Sequence, residues 1–563
     1  MKLIEWLDSR TGVRKLMTRA LEEEIQGGAR WAYVFGSGLA VVFLTQLVTG
    51  LMLMATYTPS VHDAWSSVFY IQHRVTSGWF IRGMHHYGAQ AMMVVMGMHL
   101  LQVTIYGAYK KPREVQWWLG LALMGATVGL AITGYLLPWD QKGYWATTVA
   151  TNIAGSTPAI GAQVREVVVG GAQYGQSTLT RLYAAHVGAL PGLIGILLLL
   201  HVLLYRRHGP TAPAGANLAI KQAYYPWQIV RDVSFAVFVL LVVALVTINV
   251  GAPLDAPADP SVQYPPRPEW YFLWLYQALN LVPGNLESLV TLGIPALVGG
   301  FLFALPFIDR KPTNRLRDRL GIITPVLLGA CAIVGLTAMS LNADAHDAKF
   351  QAQRRDADSR AARAVQLARN GIPPEGPLLM LANDPLTGGR DTFSDKCTSC
   401  HVMNGHGRRR APEHTGFASR EWLLNFLRNP RGERFFAHTR IDGMRSQARL
   451  GEPALEAVTE FLFAEGREPQ DPPVNAALVA RGSHVFETKC MECHVYRGEG
   501  DYLAEGGPNL TGYASRTWIA RQIATPAAAS QYGELNTMPA FADQLSEAQI
   551  RTIAAYLRLQ RFE

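Results

Sequence analysis

Long apolar runs occupy most of the chain up to Leu341 and restrict its fold more than any other feature. An α-helix rises about 1.5 Å per residue, so a run of about 20 residues matches the hydrocarbon core of a bilayer. The runs therefore predict an all-α protein with seven membrane-spanning helices. They cover approximately residues 32–57, 80–107, 116–138, 178–205, 227–251, 287–308 and 320–342.

The chain changes character after these runs, because the residues from Asn342 onward are charged and contain no membrane-length run. At 563 residues it is also too long for one ordinary domain. We predict a four-helix bundle in the membrane, a three-helix membrane domain, a linker and two small α-helical domains. Their boundaries are residues 1–216, 217–342, 343–385, 386–468 and 469–563.

Lysine and arginine are distributed unevenly between the two sides of the predicted membrane part. They are concentrated before the first run and in the loops after the second, fourth and sixth runs, whereas the opposite loops contain only Arg74, Lys142, Arg165 and Arg267. By the positive-inside rule we expect a cytoplasmic N-terminus and a C-terminal tail on the outer side. The net charge of +8 follows from this topology and does not indicate nucleic-acid binding. No cleavable signal peptide is expected, since the first 30 residues are polar and amphipathic.

Four of the five cysteines belong to two Cys-x-x-Cys-His motifs in the charged C-terminal third. A Cys-x-x-Cys pair alone is compatible with a disulfide, a zinc site or a redox dithiol, but the histidine that follows directly is typical of covalent c-type haem attachment. The fifth cysteine, Cys331, lies in an apolar run and is interpreted as a packing residue. The motifs are Cys397, Cys400 and His401, and Cys490, Cys493 and His494.

Histidines occur at matched positions in the second and fourth apolar runs. An imidazole is costly in hydrocarbon, so membrane histidines are candidates for function. His85 and His99 are 14 residues apart and His186 and His201 are 15 apart, so each pair shares a helix face near opposite membrane surfaces. We predict two bis-histidine haems, one held by His85 and His186 outside and one by His99 and His201 inside. His86 falls on another face and is not predicted to be a ligand.

Glycines repeat with the same spacing in the first and third runs. Gly36 and Gly50 are 14 residues apart, as are Gly120 and Gly134. Glycine allows a porphyrin edge to approach the backbone closely, although it is also common in membrane helices without a cofactor. We expect these four residues to pack against the haems.

Together with these histidines, three loop motifs resemble the cytochrome b family of quinol:cytochrome c oxidoreductases. They are residues 137–141 (LPWDQ), 175–181 (GQSTLTR) and 268–271 (PEWY). The resemblance covers roughly residues 25–340 and is closest to the chloroplast-type branch, in which the two membrane parts are separate proteins. That branch carries an extra haem on a cysteine that aligns with Val34, so no covalent extra haem is expected here.

The resemblance implies bifurcated quinol oxidation at the outer face, coupled to proton translocation. One electron would pass to a Rieske iron–sulfur partner, and the other would cross two b haems to a quinone site on the inner face. It also implies a homodimeric complex in the bacterial inner membrane, with Glu269 as general base and Tyr271 as a second catalytic residue. Aromatic belts and loop charges use the same residue types as the remaining candidates. Those are Pro268, Trp270, Trp139, Tyr144, Arg206 and Asp232 for quinone, and Arg82 for a haem propionate.

Each Cys-x-x-Cys-His motif needs a sixth haem ligand from further along the chain. Met538, followed by Pro539 and an amphipathic segment, has the pattern of class I cytochromes c. Met444 is predicted for the first motif, where Met403, His406, His414 and His438 compete with it. Residues 416–422 and 512–518 are similar and indicate that one module was duplicated. Methionine ligation raises the haem potential, so we expect the two c haems to accept electrons from the Rieske centre. They would pass these electrons to a periplasmic acceptor, a soluble cytochrome or an oxidase.

Two other functions remain compatible with the sequence. A haem-bearing membrane anchor could conduct electrons for a dehydrogenase partner without oxidising quinol, although the motif at 268–271 argues against it. A quinol dehydrogenase could also reduce the c haems without a Rieske partner, because no iron–sulfur motif is encoded here.

Overall fold

The computed structural model describes residues 3–14, 18, 21–499 and 507–562. It divides into two compact units, Met1–Pro377 and Leu378–Glu563. The prediction of seven spans is confirmed, since seven helices in the described part of the chain are long and apolar enough to cross a membrane. In order they are Trp31–Met54, Gly78–Tyr106, Glu114–Tyr135, Gln176–His208, Tyr224–Val250, Leu289–Ile308 and Leu316–His346.

Shorter elements of the first unit connect these spans. Two short strands, Glu24–Gln26 and Lys221–Ala223, pair antiparallel with Ile25 opposite Gln222. They join the segment before the first span to the segment before the fifth. The short helices are Leu3–Thr11, Ala64–His73, Gln141–Gly155, Gly161–Val169, Leu273–Asn280 and Ala348–Arg369, with 3-10 turns at Trp31–Tyr33, Trp270–Phe272, Gly284–Leu286 and Leu316–Arg319.

The core of the membrane unit lies among the first five spans. The first span packs against the second and the third against the fourth, while the fifth packs against both the first and the second. Buried apolar side chains meet at the centre of this arrangement, and apolar side chains on the outer faces are exposed, as a lipid-facing surface requires. The central side chains include Val42, Met92, Ala126, Ile194 and Val239.

The fourth span is interrupted by a π-helical turn at Ala185–Ala189, between the α-helices Gln176–Ala184 and Leu190–His208. A π-turn takes up one residue more than an α-turn. Pro191 favours it, because proline has no N–H to bond the carbonyl four residues earlier. The extra residue explains why 15 positions separate His186 from His201 while 14 separate the histidines of the regular second span.

The second unit is helical around one continuous apolar core. A two-stranded hairpin, Val402–Met403 with His406–Gly407, follows the first Cys-x-x-Cys-His motif. The α-helices are Pro377–Ala382, Arg390–Lys396, Arg420–Arg428, Glu452–Glu465, Ala476–Lys489, Arg516–Ala524 and Glu547–Leu559. Shorter turns are the π-turn Pro385–Gly389 and the 3-10 turns Ala448–Leu450, Gly533–Leu535 and Gln560–Phe562.

The internal repeat has the same local structure in both copies. Ser419 caps one helix by accepting from the Trp422 amide at 3.1 Å, and Ser515 caps the equivalent helix by accepting from the Trp518 amide at 3.2 Å. Each of these tryptophans donates its indole N–H to a backbone carbonyl nine residues earlier. Such agreement supports the duplication inferred from the sequence.

The two copies exchange helices with each other. Helix Glu452–Glu465 of the first repeat packs against Ala476–Lys489 of the second, and Phe461 contacts Phe486 with ring centroids 5.2 Å apart. In return, Glu547–Leu559 of the second repeat packs against the opening turns of the first, with Phe393 and Tyr556 5.9 Å apart. Neither repeat therefore closes its own core.

Glycines mark the two places where the exchanged helices touch. A Cβ on Gly482 would overlap the carbonyl of Ala457, and a Cβ on Gly389 would lie 2.6 Å from the carbonyl of Thr552. Only glycine permits so close an approach of two helix backbones. The exchange is thus built into equivalent positions of both repeats.

Candidate functional site

The outer histidine pair faces across the space between the second and fourth spans. The rings of His85 and His186 have centroids 6.2 Å apart and are inclined by 74°. Imidazole nitrogens bind metals at about 2 Å, so this separation leaves room for one iron between the rings.

Hydrogen bonds orient these imidazoles for metal binding. His186 Nδ1 donates to Leu130 O at 3.1 Å, and His201 Nδ1 donates to Gln116 O at 3.0 Å. A carbonyl can only accept, so the proton lies on Nδ1 and the Nε2 lone pair is available to a metal. His85 Nδ1 lies 3.0 Å from the hydroxyl of Thr49. These donor sets fit a bis-imidazole haem.

One histidine of the inner pair lacks such a hydrogen bond. His99 Nδ1 is buried and has no hydrogen-bond partner in the described part of the chain. His99 therefore differs from His186 and His201, whose Nδ1 atoms donate to backbone carbonyls, and its ring is not fixed by a hydrogen bond at Nδ1.

Each of the four histidines lies against one of the four predicted glycines. A Cβ would be 3.4 Å from the His99 ring on Gly36, 3.2 Å from the His85 ring on Gly50 and 3.3 Å from the His201 ring on Gly120. On Gly134 it would overlap the His186 ring. The glycines therefore give the histidine rings space on the first and third spans.

A cavity of about 280 Å³ connects the pair His85 and His186 with the motif at residues 268–271. His85 and His186 line one part of it, and Glu269 and Tyr271 line another. The predicted base and the predicted electron acceptor thus share one space. Further lining residues include Gly50, Gly134, Arg82, His86, Gln90 and Tyr135.

Glu269 forms an ion pair that its local sequence does not predict. Lys142 Nζ lies 2.8 Å from Glu269 Oε1, and the glutamate side chain is only 11% exposed. Burial alone would raise the pKa of Glu269, but the charge and hydrogen bond of Lys142 outweigh it and hold this pKa below its ordinary value. Glu269 is therefore a carboxylate at neutral pH and can accept a proton.

The aromatic residues beside Glu269 have different surroundings. Burial and the nearby charge of Glu269 raise the pKa of Tyr271, so this phenol stays protonated. Trp270 donates its indole N–H to Gln90 Oε1 at 3.2 Å, and Gln90 Nε2 donates to His86 Nε2 at 3.0 Å. This chain of hydrogen bonds fastens the quinol motif to the second span. Trp270 and Pro268 are not among the residues that line the cavity.

Trp139 and Tyr144 also lie away from the cavity wall. They pack edge to face with centroids 5.9 Å apart inside a buried cluster below the loop after the third span. Trp139 O accepts from the Ala258 amide at 3.0 Å, so the loop is tied to the segment that follows the fifth span. Both residues therefore support the start of the helix Gln141–Gly155, which carries Lys142.

A buried carboxyl pair lies in the same outer loops. Asp140 caps the helix Gln141–Gly155 by accepting from the Gly143 amide at 2.8 Å and accepts from the Asp255 amide at 3.2 Å. Burial and the charge of Asp140 raise the pKa of Asp255 to about 6, although Tyr264 donates to its carboxylate at 2.7 Å. The two carboxyls therefore oppose each other's ionisation.

Arg82 lines the cavity but has several protein acceptors. Its guanidinium donates to Ala252 O at 2.9 Å, to Pro253 O at 2.5 Å and to the side chain of Gln72. These bonds hold the segment after the fifth span in place. Its role toward a haem propionate stays a prediction.

The two residues predicted for the inner quinone site meet at one tyrosine. Asp232 accepts from Tyr224 at 2.9 Å and from Gln228 at 2.8 Å. Arg206 pairs with Glu23, and its guanidinium lies 5.7 Å from the centroid of the Tyr224 ring. The structure thus brings Arg206 and Asp232 to one place, where the fourth span ends and the fifth begins.

Both Cys-x-x-Cys-His motifs adopt one turn geometry. The histidine amide donates to the carbonyl of the first cysteine at 2.9 Å in each motif. His401 Nδ1 donates to Pro412 O at 2.7 Å and His494 Nδ1 to Pro508 O at 2.9 Å, which again leaves Nε2 for a metal.

The cysteines themselves lack the features of a catalytic dithiol. Burial raises the pKa of Cys397 to about 12 and that of Cys490 to about 11, opposite to the lowered pKa of reactive Cys-x-x-Cys pairs. No disulfide joins any of the five cysteines, all of which lie in the described part of the chain. The raised pKa of Cys397 and Cys490 argues against a reactive dithiol, and attachment of haem to these cysteines stays a prediction.

Both predicted methionine ligands pack against the core of the second unit. Met538 is held on both sides by Asn536, which accepts from its amide at 3.1 Å and donates to its carbonyl at 2.6 Å. Among the competitors of Met444, His438 is exposed and pairs with Glu433 at 2.8 Å. Met444 and Met538 stay predictions as sixth ligands.

Three protein families match parts of this chain. The family described as "Cytochrome b/b6/petB" matches residues 23–209, and "Cytochrome b(C-terminal)/b6/petD" matches residues 257–352. The family described as "Cytochrome C oxidase, cbb3-type, subunit III" matches residues 477–557, which contain the second Cys-x-x-Cys-His motif.

Individual proteins agree with these families. Cytochrome b6 of Rippkaea orientalis is 36% identical over 211 residues, 38% of this chain and 95% of that protein. The menaquinol:cytochrome c reductase cytochrome b subunit of Bacillus subtilis is 37% identical over 220 residues, 38% of this chain and 98% of that protein. A solved structure of a hyperthermophilic respiratory complex III aligns with a TM-score of 0.54 and 27% identity over 60% of this chain and 91% of that one. The predicted resemblance is confirmed: this chain belongs to the cytochrome b family and carries a cytochrome c domain at its C-terminal end.

Proposed function

We propose that this chain is the cytochrome b and c subunit of a quinol:cytochrome c reductase. The observation that carries the proposal is the shared cavity, in which Glu269 and Tyr271 lie with the outer histidine pair. A quinol bound there would reach a base and an electron acceptor at once. The name of the Bacillus subtilis relative, a menaquinol:cytochrome c reductase subunit, supports the same reaction class.

The residues of the cavity account for the proton side of the reaction. Oxidation of one quinol to a quinone releases two electrons and two protons. Lys142 engages Oε1 of Glu269, so we assign Oε2 as the atom that accepts a quinol proton. Tyr271, which stays protonated, can donate a hydrogen bond to a quinol oxygen.

Electron transfer depends on haems that the histidines would bind. Two b haems, on His85 with His186 and on His99 with His201, would supply one-electron carriers across the membrane. The glycines and the Nδ1 hydrogen bonds described above support this arrangement. Two c haems at Cys397 and Cys400 and at Cys490 and Cys493 would take the other electron outward.

Partners and topology complete the proposal. A Rieske iron–sulfur protein would take the first electron, and a soluble cytochrome or an oxidase would accept from the c haems. We place the N-terminus in the cytoplasm of a bacterium and the c domains in the periplasm, as the basic loops indicate. Arg206 and Asp232 would serve quinone reduction on the inner side, and the complex would be a proton-translocating homodimer.

Inhibitor kinetics test this function. Quinol is added to the purified complex, and b-haem and c-haem reduction are followed together, with and without an inhibitor of the outer site. We expect transient b-haem reduction that is lost with the inhibitor and slowed strongly in Glu269→Gln. If the c haems are reduced at full rate while the b haems stay oxidised, the bifurcated reaction is refuted and a Rieske-independent dehydrogenase is favoured.

A further inference from the structure

His414 in the first repeat occupies the position of Leu510 in the second. The His414 amide donates to Val402 O at 2.8 Å, and the Leu510 amide donates to Val495 O at 3.0 Å. Each acceptor is the residue directly after a haem-motif histidine. The two repeats therefore differ at this point by a histidine in place of an apolar side chain.

The His414 ring is packed against the first motif histidine. It stacks on His401 with centroids 4.4 Å apart and an interplanar angle of 27°. Phe393 and Phe417 enclose it edge to face at 5.8 and 5.3 Å. Its Nδ1 is buried without a hydrogen-bond partner among the described residues. A polar ring is thus enclosed beside His401 where the second repeat has hydrocarbon.

The stacking geometry separates His414 from the candidates for the sixth ligand. Two ligands of one iron lie on opposite sides of it, as the 6.2 Å separation of His85 and His186 allows. Two nearly parallel rings at 4.4 Å have no space for an iron between them. His414 would therefore act on a haem through His401.

We infer that His414 lowers the reduction potential of the first c haem below that of the second. The inference rests on the proposed function for the presence of both covalent haems. An oxidised haem carries one more positive charge than a reduced haem, so a polar neighbour stabilises the oxidised form and an apolar neighbour the reduced form. His414 supplies the polar neighbour in the first repeat and Leu510 the apolar one in the second.

This difference in reduction potential gives electron transfer between the two c haems a direction. Electrons that enter at the first c haem run downhill to the second, which becomes the exit toward the outer acceptor. His414 is in these terms a positioning residue that sets the order of the two haems.

Spectroelectrochemical titration of the c-haem bands in the full-length complex tests the inference. The wild type is expected to titrate as two c components. His414→Leu, which copies the second repeat, should move the lower one upward, and Leu510→His should move the higher one downward. His484→Leu, at an exposed histidine that is not a candidate ligand, serves as control and should change neither.

The outcomes separate this inference from the proposed function. Haem staining of a denaturing gel and the b-to-c haem ratio report first whether both covalent haems are present. If they are present and His414→Leu leaves both potentials unchanged, or moves the higher component, the inference is overturned. If no covalent haem is found in the wild type, the proposed function fails instead.

Discussion

Lys142 and Glu269 form an ion pair of 2.8 Å although 127 positions separate them in the chain. Lys142 lies on the helix after the third span, and Glu269 lies in the loop between the fifth and sixth. The pair therefore joins the two membrane parts predicted as residues 1–216 and 217–342. The proposed quinol pocket consequently depends on the position of both parts relative to each other.

Removal of the lysine charge is expected to change the pH dependence of quinol oxidation. Lys142 lowers the pKa of Glu269, so the carboxylate persists to lower pH in the wild type. In Lys142→Met this pKa rises, and the acid limb of the rate profile should move to higher pH. One pKa unit corresponds to about a tenfold loss of rate at the acid end. The rate of quinol-dependent cytochrome c reduction, measured as a function of pH, tests this shift.

Lys142→Arg is the matched control for this experiment, because it keeps the charge. Its profile should stay close to that of the wild type. An unchanged acid limb in Lys142→Met would show that the ion pair does not govern the base.

Gly134→Ala is expected to displace the outer b haem. The new methyl group would overlap the His186 ring, and this ring cannot move without losing its bond to Leu130. Gly125 lies in the same span with nothing near its Cβ position, so Gly125→Ala is the control. The b-to-c haem ratio from a pyridine haemochrome spectrum should fall in Gly134→Ala only. Equal ratios in both variants would contradict a tight fit at His186.

Arg319→Met is expected to destabilise the inner side of the membrane unit. Arg319 pairs with Asp309 at 2.7 Å, and Tyr109 and Lys110 bind the same carboxylate at 2.7 and 2.9 Å. Burial opposes the charged form, but these donors hold the pKa of Asp309 below its ordinary value. A fully unpaired buried ion costs about 3–5 kcal/mol, and because Asp309 keeps Lys110 and Tyr109 in this variant, the loss should be smaller than that.

The temperature at which the b-haem absorbance is lost on heating measures this destabilisation. It should fall clearly in Arg319→Met and little in Arg317→Met, since Arg317 is exposed. Similar temperatures for both variants would mean that the cluster is not structurally important.

The helix exchange predicts that the two c repeats cannot be separated. Residues 378–470 expressed alone would lack the helix that covers Gly389 and Phe393, and residues 471–563 would lack the helix that covers Gly482 and Phe486. We expect neither fragment alone to keep haem in a native spectrum, whereas co-expression restores both. Native haem in the isolated second fragment would argue against the exchange.

Residue spacing was sufficient to predict the membrane helices, the four histidines and the repeat. The length of an apolar run and the period of a helix are local properties of the sequence. They are enough to predict the seven spans and to place His85 and His99 on one face of the second span. The one irregular spacing, 15 residues from His186 to His201, was visible as a number. Its cause is the π-turn at Ala185–Ala189, which is defined by backbone hydrogen bonds. The spacing of apolar residues in the sequence does not reveal such bonds.

Long-range contacts account for what the sequence did not predict. Lys142 was counted as a loop charge, and nothing in its local sequence relates it to Glu269. The family resemblance implies Trp139 and Tyr144 as pocket residues, whereas both are buried beneath the loop after the third span. The helix exchange cannot be predicted from the sequence either. The apolar pattern of these helices is satisfied equally well when they pack within one repeat and when they pack against the other repeat.

Exchanged helices also restrict how such a protein can change over evolutionary time. A module that closes its own core can be lost, copied or moved to another gene without harm to its neighbour. Here each repeat carries a helix that completes the other, so deletion of either one exposes the core of both. The two haem-binding repeats are consequently inherited as one piece, and a shortened relative would need to re-pair its helices before it could keep a single repeat.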